Sequence, residues 1–423
     1  MRESVLHFVW KNRLFKPLLL KTFDGKPVEI LHPGYQNHDS GPDFQNARIR
    51  IDGQLWAGNV EIHVHASQWR QHGHHLDQAY RNVVLHVVHS VDIFPLDPSE
   101  PPILELKNYL EPEIVNKAEN LLTSTDEIAC ANQIKNVDDK TKMAMISRAA
   151  IERLEQKQLE KSEVLASLDY DYHKWLLSEV FKAFGLKANT QPMQSLAIRV
   201  PLSKVVQLAD ERLSIEALLY GLASLLPDTP VDEYSEKLLR EFHYLKAKHQ
   251  IDDCLPAHMW KFHRLQPVSF PTIRISQLAA LLLRWDELVQ AVFKRPDLEH
   301  LKNILAVEAS PYWNTHYRFG VPTEKDVPKK VGNDLINRIL INAVIPIMLS
   351  FGKNTDNADL QNIPLEWLEQ LPSENNRFIR HMTASGFQNK SALESQGLLQ
   401  LRNFYCVPKK CLFCSIGYKI IKS

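Results

Sequence analysis

The hydrophobic pattern of the chain changes period near residue 110, and this change limits the possible folds. Between residues 18 and 108 apolar and polar residues alternate, as at 48–52 and 60–65, and residues 83–88 form a β-branched run. Alternation is typical of half-buried strands, and an unbroken apolar run is typical of a strand buried on both faces. Beyond this region the apolar spacing is helical. The sequence therefore predicts an α+β protein, with an N-terminal mixed β-sheet domain and a mostly α-helical remainder.

Two proline-rich stretches suggest where the domains end. Residues 94–102 and 266–271 read as extended connections. We expect an α/β domain with a candidate metal site at 1–110, a helical domain at 111–265, and a second helical domain at 266–423 that ends in a cysteine knuckle. A short apolar helix over 3–14 precedes the sheet.

Composition excludes several classes of protein. The 423 residues carry 50 basic and 50 acidic side chains, so the chain cannot coat nucleic acid through net charge alone. Five cysteines are too few for a disulfide framework. The N-terminus has no secretory pattern, and the longest apolar stretch, 339–351, is interrupted by Asn342 and Pro346 and falls short of the roughly 20 residues that span a bilayer. We expect a reduced cytoplasmic protein that does not enter a membrane.

Histidines and carboxylates concentrate in the strand region. Ten of the 18 histidines lie within the first 90 residues. On the strand 60–65, Glu61, His63 and His65 share the outer face, whereas the valines and the isoleucine between them face a core. If the strands 45–52 and 55–65 form a hairpin, Asp43 returns beside Glu61. Two converging carboxylates favour Mg²⁺ or Mn²⁺, which can polarise a phosphate and lower the pKa of a bound water.

Other histidines are candidates to support this site: His65, His72, His74 and His86. Glu3, on the first helix, is a possible third carboxylate. Two further interpretations remain open at this stage. The glutamate and histidines can simply be surface residues of a strand, or His63 with His65, or His72 with His74, can join a carboxylate to hold Zn²⁺ in a hydrolase.

The order of these residues resembles the PD-(D/E)xK nucleases, which carry an Asp at the start of one strand and Glu-x-Lys on the next. Pro42-Asp43 and Glu61-Ile62-His63 match this layout, with His63 in place of the lysine. The resemblance implies a restriction-endonuclease-like domain that cleaves phosphodiesters of nucleic acid. Asp43 and Glu61 would hold the ion, and His63 would orient or deprotonate the water. Some proteins keep this fold without catalysis, so a binding or scaffold protein is the alternative.

The last cysteines form a second candidate metal site. Cys406, Cys411 and Cys414 lie within nine residues, and the last two have the spacing of a thiolate knuckle. Zinc and an iron–sulfur cluster both accept thiolates. The residues that can supply a fourth ligand are Cys130, Cys254, His258 and His263. The alternative is a set of buried reduced cysteines or a redox pair.

Several blocks of sequence together resemble an uncharacterised bacterial family, the domain of unknown function 2851. The blocks are Gly41-Pro42-Asp43-Phe44, residues 58–63, residues 85–88, residues 270–274 and residues 406–417. The resemblance covers nearly the whole chain. It implies that these blocks act as units, and it brings no established activity.

Overall fold

A mixed sheet of seven strands forms the centre of the N-terminal part of the chain in the computed structural model, which describes residues 1–16, 18–202 and 211–423. Its strands are β1 Leu20–Lys21, β2 Pro27–His32, β3 Tyr35–Gln36, β4 Phe44–Ile51, β5 Gln54–His65, β6 Val83–Ser90 and β7 Ile103–Glu105. The spatial order is β1-β2-β4-β5-β6-β7, with β3 paired to β4. A two-stranded ribbon follows later in the chain, β8 His316–Arg318 and β9 Val321–Pro322.

Strand direction changes in the middle of the sheet. The strands from β1 to β5 pair antiparallel, whereas β5, β6 and β7 run parallel. The tight turn at Asp52 and Gly53, both with positive φ, closes the β4–β5 hairpin. The parallel β5–β6 pair requires a crossover, which residues 66–82 provide. The predicted mixed sheet is confirmed.

Helices make up most of the remaining chain, as the apolar spacing predicts. They are α1 Glu3–Asn12, α2 Gln68–Gln71, α3 Pro112–Thr123, α4 Asp139–Ser167, α5 Tyr172–Phe184, α6 Thr190–Arg199, α7 Arg212–Leu222, α8 Glu233–His249, α9 Pro271–Leu282, α10 Trp285–Phe293, α11 Leu298–Leu305, α12 Asn333–Ile339, α13 Ile345–Asn354, α14 Ala358–Gln370, α15 Arg377–Ala384, α16 Ala392–Gln400 and α17 Ser415–Lys422.

The chain divides into two units. The first contains Met1–Ala149, Asn375–Gln388 and Gly397–Ser423, and the second contains Ala150–Glu374 and Asn389–Gln396. These units do not follow the three consecutive stretches expected from the sequence, because the end of the chain returns to the first unit. The returning segment buries apolar side chains of α17 in that unit's core, among them Ile416 and Ile421.

Helix α1 packs one apolar face into the core of the first unit. The side chains of Val5, Leu6 and Trp10 are fully buried, and the helix ends where Arg13 adopts a left-handed conformation. Val60 and Ile62 of β5 belong to the same core. This packing fixes the N-terminal turn of α1 beside the strands that carry the candidate site.

One helical stretch in the described residues is long and apolar enough to cross a membrane. It runs over Asn333–Asn354, from α12 through a π-helical turn at Leu340–Val344 into α13. The helix continues past Asn342 and Pro346. Within its most apolar window of 18 residues, 78% is buried inside the protein. Burial of this extent is typical of a core helix, and the stretch belongs to the second unit.

A candidate metal centre on the mixed sheet

The β4–β5 hairpin holds two carboxylates side by side. Phe44 at the start of β4 pairs with Val60, so Asp43 lies opposite Glu61. The backbone N–H of Asp43 donates to Glu61 Oε2 at 3.1 Å, and the N–H of Ile62 donates to Asp43 Oδ2 at 2.9 Å. Pairing of the hairpin, with a register shift between Phe44 and Ala47, thus creates the convergence of carboxylates that the sequence suggested.

Parallel pairing of β5 with β6 brings two histidines together. Glu61 pairs with His86 in this register, and His63 Nδ1 lies 2.9 Å from His86 Nε2. Both histidines are 2% exposed. The other ring nitrogen of His63, Nε2, lies 3.5 Å from Glu61 Oε1. His86 therefore fixes the orientation of the His63 ring and leaves Nε2 facing the carboxylate.

The crossover after β5 folds two more histidines over this face of the sheet. Helix α2 is followed by Gly73 at φ +76, a conformation that favours glycine. His74 stacks on Tyr80 with ring centroids 3.8 Å apart, and its Nε2 lies 3.3 Å from Glu61 Oε1. Nitrogen atoms of His63, His72 and His74 all lie within 4.8 Å of one another.

Helix α1 contributes two further side chains to the site. His7 Nε2 lies 3.4 Å from Asp43 Oδ2 and 4.0 Å from Glu3 Oε1. Glu3 and His7 are one helical turn apart and therefore share a face. Burial raises the pKa of Glu3, with His7 lowering it and Asp43 raising it further.

Burial dominates the protonation of the central groups. It raises the pKa of Glu61 to about 8, and the neighbouring Asp43 carboxylate raises that pKa further. Burial also lowers the pKa of His63 and of His86 to about 3, and it lowers the pKa of His74. The imidazoles are therefore neutral at pH 7, which is the form that binds metals.

Three buried nitrogen atoms around the site have no hydrogen-bond partner among the described residues: His7 Nε2, His74 Nε2 and Trp69 Nε1. The two histidine nitrogens do lie near carboxylate oxygens, but without hydrogen-bond geometry. Buried polar atoms are usually satisfied. Each of the two histidine nitrogens can offer a lone pair to a bound cation, whereas the Trp69 nitrogen is a hydrogen-bond donor.

The structure brings most of the predicted residues together. Asp43, Glu61 and His63 meet, and His72, His74 and His86 surround them. His65 does not join this group: it is exposed, and its Nδ1 lies 3.2 Å from Ser90 Oγ.

The expectation that Glu61 and His63 lie on an exposed strand face is wrong. Glu61 is 5% exposed and His63 2% exposed, because the crossover with His72 and His74 lies over them. The sequence showed the alternation of the strand but not the segment that covers it.

Two residues of the site were not among the candidates above. His7 interrupts the apolar face of α1 one turn after Glu3, and that interruption was the available signal. Trp69 is the second, and it is 3% exposed. Its ring lies between His74 and His86, with centroids 5.4 and 5.2 Å away, so it packs the histidines into place.

The C-terminal cysteines lie in the same unit but line another cavity. Cys130, Cys406, Cys411 and Cys414 surround a space of about 20 Å³. The remaining fourth-ligand candidates, Cys254, His258 and His263, belong to the second unit.

Comparison with known proteins identifies a family. The model of a family described as "Protein of unknown function (DUF2851)" matches residues 3–377. The block 406–417 lies beyond the matched residues. No curated protein and no solved structure matches the chain.

Proposed function

Because the chain belongs to the DUF2851 family, for which no activity is described, we propose a function from the geometry of the site: a metal-dependent phosphodiesterase acting on nucleic acid. One observation carries the proposal. Nitrogen atoms of His63, His72 and His74 lie within 4.8 Å of one another, beside the Glu61 carboxylate. A single divalent ion needs ligands of these types gathered at about this spacing.

The ligand set favours Mn²⁺ or Zn²⁺ over Mg²⁺. Glu61, His63, His72 and His74 would hold the ion, with Asp43 as the neighbouring carboxylate. Three imidazoles suit a transition metal, whereas Mg²⁺ prefers oxygen ligands. The residues fit a cation, since a buried carboxylate with a raised pKa and an unpaired His74 nitrogen both gain from one. A bound ion of this kind polarises a phosphate oxygen and lowers the pKa of its water.

The protein's own residues would divide the remaining tasks. For His63 Nε2 to bind a metal, its Nδ1 must carry the proton and donate it to His86 Nε2, which fixes the tautomer. Asp43 is held by the N–H of Ile62, and 24% of its side chain is exposed. It is therefore placed to accept a hydrogen bond from a water that enters the site. His72 is exposed and lies at the entrance.

The order of elements supports a phosphodiester substrate. A helix, α1, precedes the antiparallel strands, Asp43 precedes β4, Glu61 and His63 follow on β5, and β6 returns parallel after a crossover. The helix before the antiparallel strands, the Asp before one strand and the Glu on the next are the parts of this order that resemble the PD-(D/E)xK pattern. His63 departs from the lysine of that pattern. As a buried neutral imidazole, it serves as a ligand rather than as a cation beside the water.

A histidine-based zinc hydrolase is the second candidate, and the same histidine group favours it. Three imidazoles with one open position form a common catalytic zinc site. The two candidates differ in the reacting bond, a phosphodiester in the first and a carboxylic ester or amide in the second. A binding protein without catalysis is the remaining alternative.

A cleavage assay tests the proposal. Purified full-length protein is freed of metal and then incubated with single- and double-stranded DNA and RNA, with Mn²⁺, Zn²⁺ or Mg²⁺. Glu61→Gln and His74→Gln remove one candidate ligand each. His65→Gln is the matched control, because it changes an exposed histidine on the same strand. Carboxylic ester substrates are run in parallel.

We expect cleavage of nucleic acid with Mn²⁺ or Zn²⁺ and a loss of at least about 100-fold in both ligand variants, more than a supporting residue costs. His65→Gln should retain wild-type activity. Ester hydrolysis without nucleic acid cleavage would replace the phosphodiesterase with the zinc hydrolase. If folded, metal-loaded protein showed neither activity, a binding protein without catalysis would be the remaining interpretation.

A further inference from the structure

Four of the five cysteines meet at one place in the first unit. Cys130 follows α3, and the other three come from the returning segment at the end of the chain. All four are free thiols. Cys411 and Cys414 are 9% exposed, and the cavity that they share with Cys130 and Cys406 holds about 20 Å³. Residues almost 300 positions apart in the sequence thus line a common space.

The loop that carries Cys411 and Cys414 packs directly on helix α17. Cys414 is the N-cap of α17. A Cβ on Gly417 would lie 2.1 Å from the carbonyl oxygen of Cys411. The glycine therefore lets the cysteine loop pack directly on the helix.

The distances between the cysteine sulfur atoms distinguish a zinc ion from an iron–sulfur cluster. A tetrahedral zinc ion with Zn–S distances of about 2.3 Å requires all four sulfurs within about 4 Å of one another. Among the described residues, no three cysteine sulfurs lie within even 4.8 Å of one another. An iron–sulfur cluster separates its cysteine ligands more widely, because a core of iron and sulfide lies between them. Such a core does not require three sulfur atoms within 4.8 Å of one another.

The spacing along the chain is consistent with this choice. Cys406 and Cys411 are separated by four residues, and Cys411 and Cys414 by two. Three cysteines at this spacing, with a fourth elsewhere in the chain, hold [2Fe–2S] clusters in ferredoxins of the plant type. Here the fourth is Cys130, which lies upstream, and Cys254 is assigned to the other unit.

We propose that Cys130, Cys406, Cys411 and Cys414 bind an iron–sulfur cluster that clasps the end of the chain to the first unit. Each thiol loses its proton when its sulfur bonds to iron, and iron and sulfide ions supply the core. Arg402 pairs with Glu127, and Lys409 donates to the carbonyl of Asp126, so polar contacts surround the same junction. The proposal does not depend on the histidine site or on its chemistry.

Metal analysis of the full-length protein tests this inference. The protein is purified without oxygen and reconstituted with iron(III) and sulfide, which match the charges of an oxidised [2Fe–2S] core. Iron, sulfide and zinc are then quantified per chain alongside the visible absorption spectrum. Cys130→Ser and Cys406→Ser each remove one proposed ligand. Cys254→Ser is the matched control. Circular dichroism checks that each variant is folded. The metal content of the wild-type protein tests the site even if a variant does not fold.

We expect wild-type protein and Cys254→Ser to contain iron and sulfide in equal amounts, with the broad visible absorption of sulfide-to-iron charge transfer. Cys130→Ser and Cys406→Ser should lose most of both. They should also become more sensitive to proteolysis after residue 400. One zinc per chain with no iron would overturn the cluster. Wild-type protein without metal, or a Cys130→Ser variant with full iron content, would overturn the site.

Discussion

At the scale of single residues, burial decides what the histidines on β5 and β6 can do. His63 and His86 are almost fully buried and contact each other, and burial lowers the pKa of each to about 3. When His63 Nδ1 carries the proton, it donates a hydrogen bond to Nε2 of the neutral His86. This single contact sets which nitrogen of His63 faces Glu61.

Replacing His86 tests this arrangement. His86→Leu keeps a similar volume but removes the nitrogen that accepts from His63. We expect the affinity for Mn²⁺ to fall about 10- to 100-fold, which is typical when the partner of a metal-bound histidine is lost. Isothermal titration calorimetry measures the change. His89→Leu, three residues along β6 and thus on the opposite face, is the control. Equal affinity in both variants would show that His86 does not orient His63.

Some of the site follows from sequence at this scale and some does not. Asp43 and Glu61 were predicted to meet because hairpin register is set by alternation and a tight turn. His72 and His74 were named as candidates, but their position over Glu61 depends on the φ of Gly73 and on stacking with Tyr80. His7 contacts Asp43 only through packing of α1 on the sheet. Such contacts are tertiary, and no local pattern encodes them.

At the scale of elements, the crossover between β5 and β6 is shaped by one glycine. Gly73→Ala places a side chain at φ +76, where the surrounding space is open but the backbone is strained. We expect a loss of about 1 kcal/mol in the free energy of unfolding and a several-fold weaker affinity for Mn²⁺, because His72 and His74 shift.

Gly25→Ala is the control for this prediction. Gly25 also has a positive φ and open space around its Cβ position, and it lies in the β1–β2 turn. It should lose similar stability but keep metal affinity. Equal loss of Mn²⁺ affinity in Gly73→Ala and Gly25→Ala would show that the effect comes from reduced stability alone.

Helix α4 carries a half-buried lysine, Lys157. Its Nζ donates to Asn342 Oδ1 at 3.0 Å and to Gln396 Oε1 at 2.8 Å, all within the second unit. Burial lowers the pKa of Lys157 to about 7. The helical spacing beyond residue 110 predicted a helix here but not the lowered pKa of this lysine, because lysine side chains on a helix are usually solvated.

The lowered pKa of Lys157 makes stability depend on pH. Between pH 7 and 10.5 the unfolded chain holds the proton and the folded chain does not, so the free energy of unfolding should rise with pH, by up to about 1.4 kcal/mol per unit. Lys157→Met should lack this rise. Denaturant titrations at pH 7, 8 and 9 compare the two proteins. Parallel pH profiles would contradict a neutral half-buried lysine.

At the scale of the whole molecule, the first unit is discontinuous. Its core includes Leu6 from α1, Ile62 from β5 and Ile420 from α17. The sequence predicted a domain at 1–110, since local periodicity shows where strands end but not which distant helix completes their core. The units assigned from packing include the returning segment Gly397–Ser423.

This organisation predicts that the N-terminal fragment does not fold alone. Residues 1–149 should show no cooperative unfolding transition, because the apolar surface that α17 covers becomes exposed. The same fragment joined by a flexible linker to residues 397–423 should regain a transition in thermal denaturation followed by circular dichroism. A cooperative transition in the fragment alone would contradict the role of the returning segment.

The central claim, a single divalent ion held by Glu61 and three histidines, is tested most directly by Mn²⁺ binding. Electron paramagnetic resonance of free Mn²⁺, titrated against metal-free full-length protein, gives the number of sites and their affinity. We predict one site per chain that is lost in Glu61→Gln and His74→Gln and retained in His65→Gln. Absence of stoichiometric binding, or unchanged binding in Glu61→Gln, would contradict the claim.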